Sequence, residues 1–326
     1  MKKKIIRISS IIGLVIFAYI IYKIGPVQIW ENIKKITVRN FLILVLLRFF
    51  YWTLRTFNWN LVLDGYDIKN SFFHLLAARL SCHAVNHVMP SVNIGGEAAR
   101  IMIVNSPSKK LSVASVIVDK TIESLSVIFF TIIGVAIVIT RIPLPGKMKI
   151  LLISFVGLIA ILILYIMNKQ KKGFFDWIIN LLRKIKIKLK FLEKHMEKIE
   201  ETDQYISEFY QKYRKLFLKV FLFYCLMFLF WAVEIHFTLL FIGAKSITFF
   251  DSFLVVSLGT LAFLIPISPA GIGVYEATYV GIFALLKLGP DVGITLILIR
   301  RLIALIWTGI GLLGMAKIKP ERQKHY

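Results

Sequence analysis

Cysteine is nearly absent from this chain of 326 residues, and the two that occur, Cys82 and Cys225, lie inside apolar runs. Two cysteines so placed argue against a disulfide framework. Also missing are the glycine-rich loop followed by Lys-Ser or Lys-Thr that binds nucleotides, and any order of Ser, His and Asp typical of nucleophilic catalysis. The sequence therefore encodes no nucleotide-driven transport of its own and no recognisable catalytic triad.

Long apolar runs are what the chain has in quantity. Hydrophobic residues make up 58% of it, and the mean hydropathy is +0.75. A helix needs about 20 apolar residues to cross a bilayer, and several runs reach that length. The strands of a membrane barrel would instead alternate in short segments, a pattern that the chain lacks. We therefore predict an all-α polytopic membrane protein whose residues 1–326 form a single transmembrane domain.

Apolar runs of spanning length recur along the chain, separated by charged or broken segments. About six full spans are predicted, over 5–22, 41–63, 111–140, 149–167, 216–243 and 292–315. Residues 26–39 have apolar residues at helical spacing, which is typical of a short helix lying in the membrane interface. Two more apolar stretches are broken by PSVNIGGEAAR at 90–100 and by PISPAGIGVYEA at 266–277, and we predict re-entrant helical hairpins there.

The net charge of +23 is unevenly distributed among the segments between the spans. With the N-terminus inside, 24 of the 41 Lys and Arg residues lie in cytoplasmic segments and nine lie in outside segments. Cytoplasmic loops of membrane proteins are enriched in Lys and Arg, so this bias predicts a cell-membrane protein with both termini in the cytoplasm. The assignment requires that the broken stretches, 71–104 and 251–287, leave the membrane on the side where they enter.

The largest share of that positive charge lies in residues 168–215, which hold thirteen Lys and Arg against seven Asp and Glu. The segment has helical amphipathicity, so we expect a cytoplasmic helical segment that contacts the anionic lipids of the inner leaflet. No basic stretch carries a nucleic-acid-binding motif, and nucleic acid is not an expected partner.

Two parts of the chain resemble each other at an offset of 179 residues. The matching pairs are Phe49 with Phe228, Trp52 with Trp231, Leu75 with Leu254, Pro90 with Pro269, Glu97 with Glu276 and Ala98 with Ala277, while Arg55 aligns with Glu234. The predicted topology inserts the first copy, about 41–140, and the second, about 216–316, in opposite orientations. This predicts an inverted-topology repeat, a common plan of transporters in which broken helices meet near the bilayer midplane.

Charged residues occur inside the apolar segments, where an ionised side chain costs roughly 2.5–3.5 kcal/mol. They are Arg48, Arg55, Arg79, Glu97, Arg100, Asp119, Lys120, Glu123, Glu234, Glu276, Arg300 and Arg301. The structural interpretation is that ion pairs among them hold the helices together. The functional interpretation is a polar route for a lipid headgroup, because the planar guanidinium of arginine can bond two phosphate oxygens at once.

We name this set of twelve charged residues the charged seam and expect part of it, with nearby glycines, to bind the substrate. The predicted substrate-binding residues are Arg55, Asn93, Gly95, Gly96, Glu97, Arg100, Asp119, Lys120, Gly271, Gly273, Glu276 and Arg300. The glycines would let the backbone approach the headgroup, since they carry no Cβ. Each repeat would offer a carboxylate at a helix break and a cation on the next span.

Two histidines, His83 and His87, have the i, i+4 spacing of metal ligands. The Glu that follows the first histidine in a zinc-protease helix is missing here. We therefore expect no metal site, no other cofactor and no catalytic residue.

The stretch PSVNIGGEAAR, the following DKTIES, the second break PISPAGIGVYEA and the RR of the last span resemble the lysylphosphatidylglycerol synthase transmembrane family, whose members are flippase-like membrane proteins. The resemblance extends from about residue 5 to 316. It implies a multi-span fold with two re-entrant segments that moves a polar lipid between leaflets. The soluble aminoacyl-transferase domain of the namesake proteins is not expected here. Two positions depart from the family pattern: Ala270, where a glycine is common, and Lys120, where members often have arginine.

Three functions of different classes remain open. The first is a flippase-like transporter that moves a lipid with a polar or charged headgroup along the charged seam. The second is a membrane-embedded transferase acting on lipid-linked substrates, which would need an acidic metal site outside the membrane. The third is a non-catalytic membrane scaffold for a separate enzyme. The first is preferred because the resemblance and the repeat both favour it, and we then expect no enzymatic activity.

Overall fold

The computed structural model describes residues 26–88, 94–175, 196–244, 247–264 and 272–317, together with the single positions 19, 22, 177 and 179. Across these ranges the chain forms α-helices and one 3-10 helix, and no described residue lies in a strand. The predicted all-α fold is therefore confirmed.

The helices are numbered here in chain order. They are α1 (Pro26–Lys34), α2 (Val38–Asp64), α3 (Phe72–Val88), α4 (Ile94–Ile103), α5 (Lys109–Arg141), α6 (Gly146–Gln170), α7 (Met196–Lys212), α8 (Arg214–Ile242), α9 (Phe249–Gly259, followed by the 3-10 helix Thr260–Leu264), α10 (Val274–Leu285) and α11 (Pro290–Lys317).

Five of these helices, α2, α5, α6, α8 and α11, are long and apolar enough to cross a membrane. They correspond to five of the six predicted spans. The remaining predicted span, 5–22, lies outside the described residues except for Tyr19 and Tyr22. α6 buries only Val156 and Gln170, so nearly all of its apolar surface faces outward, as suits a helix in contact with lipid.

The predicted interface helix over 26–39 is shorter than expected. α1 ends at Lys34, and the hydroxyl of Thr37 accepts a hydrogen bond of 3.2 Å from the backbone N–H of Asn40. Threonine is favoured at this N-cap position because its hydroxyl satisfies an N–H that has no partner within the helix. α2 therefore begins where the prediction continued the first helix.

The two broken stretches each form a pair of short helices. α3 and α4 have 17 and 10 residues, and α9 and α10 have 11 and 12, fewer than the roughly 20 that cross a bilayer. Asn70 and Asn105 exchange hydrogen bonds of 2.9 and 3.0 Å, so the start of α3 lies beside the end of α4. The first pair thus returns to the level where it begins. The breaks themselves, 89–93 and 265–271, lie outside the described residues.

Helix boundaries recur at the offset of 179 residues. Adding 179 to the bounds of α2, α3, α4 and α5 gives 217–243, 251–267, 273–282 and 288–320, which lie close to α8, α9 with its 3-10 extension, α10 and α11. The order of long and short helices is therefore the same in both copies.

Packing between the two copies follows the same correspondence, because α3 packs on α11 while α9 packs on α5. The hydroxyl of Ser81 donates to the backbone carbonyl of Gly311 over 3.3 Å. The hydroxyl of Thr260, 179 residues after Ser81, lies 2.7 Å from the hydroxyl of Thr131. Each copy thus contributes a short helix to the long last helix of the other.

The helix ends gather on two opposite faces of the bundle. On the first face Asn32 of α1 donates to Asp291 at the start of α11 over 3.0 Å, and Arg141 at the end of α5 lies over the ring of Phe250. On the second face the hydroxyl of Tyr66, just after α2, donates to the backbone carbonyl of Tyr205 in α7 over 3.1 Å.

α7 belongs to the basic segment 168–215 and packs on α5 at the second face. Ile206, Phe209 and Tyr210 are buried there, and the Tyr210 hydroxyl donates to Gln170 over 2.7 Å. Burial raises the pKa of Tyr210 above its ordinary value. The apolar side of α7 therefore contacts protein, and the predicted contact of the segment's basic residues with anionic lipid stays a prediction. Most of the basic stretch between α6 and α7 lies outside the described residues.

A methyl group at Gly311 should loosen the contact between α3 and α11. A Cβ there would overlap the carbonyl oxygen of Leu80, whereas a Cβ at Gly309, two residues earlier on the same helix, would meet open space. We expect Gly311→Ala to lower stability by about 1–3 kcal/mol. Thermal unfolding in detergent, followed by tryptophan fluorescence, measures this. Equal melting temperatures for Gly311→Ala and the control Gly309→Ala would contradict the packing.

Candidate functional site

Asp119, in the first third of α5, is the carboxylate of the charged seam that bonds three different side chains. Its Oδ2 accepts hydrogen bonds from Arg79 of α3 at 3.0 Å and from Arg100 of α4 at 2.8 Å. Its Oδ1 accepts one from the hydroxyl of Tyr224 in α8. Both arginines and the aspartate are 0–1% exposed. One carboxylate therefore joins four helices in the interior.

The ring of Trp59, a buried residue of α2, lies against both of these arginines. The guanidinium carbons of Arg79 and Arg100 are 5.3 and 4.1 Å from the centre of that ring. A guanidinium over an indole face is favourable, more so when water is excluded. Trp59 thus stabilises the two positive charges that share the single carboxylate.

Glu97 pairs within its own helix. Its Oε2 accepts a hydrogen bond of 2.9 Å from Nη1 of Arg100, three residues later on the same short helix. Residues three apart on a helix lie on the same side, which accounts for this pairing. The cation on the next span, Lys120, pairs with Glu123 at 3.1 Å. In the first copy the broken helices are linked to the next span through Asp119, which pairs with Arg79 and Arg100.

Glu123 lies one turn after Asp119 and forms a second ion pair between helices. Its carboxylate is 2.7 Å from the guanidinium of Arg55 in α2. The Lys120 side chain, the third member, is 45% exposed, while those of Arg55 and Glu123 are 17% and 10% exposed. This group therefore lies between the buried Asp119 and the outer surface of the bundle.

Glu276 at the start of α10 has the arrangement predicted for the second copy. Its Oε2 accepts a 2.7 Å hydrogen bond from the backbone N–H of Gly273, and its Oε1 is 2.6 Å from Arg301 of α11. The carboxylate caps the positive end of a helix and pairs with a cation on the next span. Gly273 has φ of +83°, a conformation that glycine adopts without strain.

Arg300, the neighbour of Arg301, is held by aromatic groups. Its Nη1 donates to the hydroxyl of Tyr279 over 2.8 Å, and its guanidinium carbon lies 5.1 Å from the ring centre of Trp231. Among the residues that the structure describes, no carboxylate forms an ion pair with Arg300, although every other arginine of the charged seam has one.

Arg48 and Glu234 form a pair between α2 and α8 that the predicted substrate-binding set left out. They are 2.6 Å apart, and the carboxylate is almost fully buried. Their signal in the sequence was a charge within an apolar span, as for the other members. Residues of the charged seam that the predicted set also omitted are Arg79, Glu123 and Arg301, and the supporting aromatic residues Trp59 and Tyr224 carried no charge signal.

The predicted glycines have different roles in the structure. The backbone N–H of Gly96 donates to Asn86 of α3 over 2.8 Å, and a Cβ at Gly96 would overlap the carbonyl of Cys82. Gly96 therefore allows α4 to pack closely on α3, rather than opening backbone to a ligand. Asn93 and Gly271 lie outside the described residues, and Gly95 is the second residue of α4, next to Gly96.

The histidine pair lies between α2 and α11. The ring of His83 is 4.8 Å from that of Trp52 and 5.6 Å from that of His87. In the described part of the chain, no group of three or more His, Cys, Asp or Glu side chains has the arrangement of a metal site.

The charged seam holds seven cations and five carboxylates. Buried charges of one sign are costly unless an opposite charge accompanies them. An anionic group entering the seam would offset the excess, and Arg300 forms no ion pair with a carboxylate of the described residues. The arrangement can therefore receive an anionic or zwitterionic group at membrane depth.

Comparison with known proteins gives two matches. The family model described as lysylphosphatidylglycerol synthase TM region matches residues 6–311. A protein named UPF0104 membrane protein from Methanothermobacter thermautotrophicus is 26% identical to the chain, with 95% of this chain and 94% of that protein covered. The family match includes every residue of the charged seam.

Removing the negative charge of Asp119 should destabilise the protein strongly, because Arg79 and Arg100 would keep their charges without it. Breaking a buried pair in this way costs about 3–5 kcal/mol. We expect Asp119→Asn to lower the melting temperature in detergent far more than Asp64→Asn, a change of an exposed carboxylate at the end of α2. Similar melting of the two variants would mean that the Asp119 pairs do not hold the helices together.

Proposed function

Because the chain belongs to the lysylphosphatidylglycerol synthase TM region family, we propose that it is a flippase-like transporter that moves a lipid with a polar or charged headgroup between membrane leaflets. The observation that carries this proposal is the guanidinium of Arg300, which is held by Tyr279 and Trp231 without a carboxylate partner among the described residues. Because the family is one of membrane proteins linked to lipid handling, we infer that the anion bound by Arg300 is a lipid headgroup.

In this proposal the headgroup moves along the charged seam while the acyl chains stay in the bilayer. Arg300 receives the anionic part of the headgroup first, since its fork of N–H groups can bond two oxygens. Nε and Nη1 of Arg79 also lack a hydrogen-bond partner within the described ranges, which leaves donors deeper in the seam. The carboxylates of Glu97 and Glu276 would accept hydrogen bonds from a positively charged part of the headgroup in a lipid that carries one.

The repeated helix order supports an inverted-topology repeat for this transport. In transporters of this plan, broken helices from the two copies meet near the midplane and bind the substrate there. The pairs α3–α4 and α9–α10 are the broken helices, and Glu97 and Glu276 occupy the first turn of α4 and α10. We propose that both pairs are re-entrant, one from each side of the membrane.

We propose that the two faces of the bundle lie on opposite sides of the membrane. The second face, with α7 and the start of α5, would be cytoplasmic because these elements belong to the Lys- and Arg-rich segments 105–110 and 168–215. Both termini are proposed to lie on that side, in the cell membrane. Anionic lipids of the inner leaflet remain the proposed partners of the basic residues in 168–215.

Replacing Arg300 should stop transport without unfolding the protein. We expect Arg300→Gln, in vesicles of phosphatidylglycerol and phosphatidylcholine, to slow exchange of a fluorescent phosphatidylglycerol between leaflets roughly tenfold or more, the effect of losing a charged hydrogen bond. Dithionite quenching of the outer leaflet measures the rate. The control is Arg141→Gln, which removes a cation outside the charged seam.

Other outcomes of that assay separate the alternative functions. If Glu97→Gln and Glu276→Gln both exchange lipid at the wild-type rate, the charged-seam mechanism is wrong. If wild-type protein exchanges no lipid tested, a scaffold for a separate enzyme becomes the better proposal. A membrane-embedded transferase would instead convert a lipid-linked substrate, which thin-layer chromatography of the vesicle lipids detects.

The proposed topology has its own test. Pro107, before α5, and Pro145, before α6, are both exposed. Single cysteines at these positions, with Cys82 and Cys225 replaced by alanine, should react from opposite sides with a thiol reagent that cannot cross membranes. Labelling of whole cells should modify Pro145→Cys but not Pro107→Cys. Reaction of both from the same side would overturn the proposed orientation.

A further inference from the structure

An apolar groove lies between α2 and α11, beneath the turn that follows α1. Its volume is about 220 Å³. Its lining residues are Ile33, Ile36, Val38, Phe41, Ile299 and Leu302, with Thr37. The hydroxyl of Thr37 already accepts the N-cap hydrogen bond of α2, so the groove offers almost no free polar group.

The groove is open at the surface of the bundle. Val38 and Leu302 at its rim are 78% and 48% exposed, while Ile299 at its floor is 2% exposed. α2 and α11 also contact each other farther along their length, where the rings of Phe49 and Trp307 stack with centres 6.0 Å apart. The groove is thus a lateral opening between two spanning helices.

The position on α11 connects this groove with the charged seam. Ile299 and Leu302 are the residues immediately before and after Arg300 and Arg301. Positions three apart share a side of a helix, while the two arginines point away from it toward Trp231 and Glu276. A single turn of α11 therefore presents apolar side chains to the groove and two guanidiniums to the interior.

We propose that this groove binds one hydrocarbon chain of the transported lipid while its headgroup contacts Arg300. This inference rests on the proposed function. An amphiphile is the ligand that matches an apolar groove and a cation without a carboxylate partner among the described residues, both on one turn of α11.

Photolabelling tests the groove without requiring transport. The protein is placed in vesicles of phosphatidylglycerol and phosphatidylcholine with a trace of phosphatidylglycerol that carries a diazirine in one acyl chain. After irradiation, mass spectrometry should find adducts concentrated in peptides that contain 33–41 and 299–302. Adducts spread evenly over the outward faces of α6 and α11 would indicate ordinary lipid contact and overturn the proposal.

A filled groove provides the matched comparison. Leu302→Trp should lower groove labelling roughly tenfold, since the indole occupies space that the chain would use. Leu313→Trp, at an exposed leucine farther along the same helix, should leave it unchanged. Val38→Trp serves as a second filled variant if Leu302→Trp does not fold. Unchanged labelling in a folded filled variant would overturn the proposal.

Two further outcomes are distinguishable from a failure of the proposed function. A disulfide between Val38→Cys and a cysteine introduced within residues 5–22 would mean that the chain's own predicted first span covers the groove, which would overturn the inference. If wild-type protein exchanges no lipid but groove labelling is intact and sensitive to Leu302→Trp, the transport proposal fails while the acyl-chain site stands.

Discussion

The carboxylate of Asp119, shared by two guanidiniums, is the interaction on which the centre of this protein depends. Its partners come from α3, α4 and α8, and all lie where water is excluded. Buried charges in a bundle of apolar helices must pair, because each unpaired one costs several kcal/mol. The helices are consequently positioned so that the pairs form, and apolar packing fills the space around them.

The second copy solves the same problem with different residues. In the second copy the carboxylate is on the short helix, Glu276, and the cation is on the following long helix, Arg301. In the first copy the signs are exchanged, with Arg100 on the short helix and Asp119 on the long one. The exchange of packing partners, α3 with α11 and α9 with α5, then joins the copies through contacts as close as those at Gly311. Two short helix pairs could not be stable in a membrane alone, since their ends leave backbone groups without partners.

Stability and the proposed transport place opposite demands on the charged seam. Ion pairs such as that of Asp119 with Arg79 stabilise the helix bundle. A headgroup must therefore bind to hydrogen-bond donors that these ion pairs do not use. Arg300 meets this need because Tyr279 and Trp231 orient it through a neutral hydroxyl and a ring face. The groove at Ile299 and Leu302 lies on the other side of the same turn, so both halves of a lipid have a surface of matching polarity.

The sequence alone determined the class of fold and the positions of most helices, because apolar runs of spanning length and their interruptions follow directly from bilayer thickness. It also identified the charges that need a partner, since an ionised side chain within such a run is costly in lipid. Only the tertiary structure decided the partners. Glu97 at the first break and Lys120 on the next span each pair within their own helix, and Arg48 meets Glu234 from 186 residues away. Partner choice depends on how helices distant in the chain rotate and cross, which spacing along one helix cannot specify.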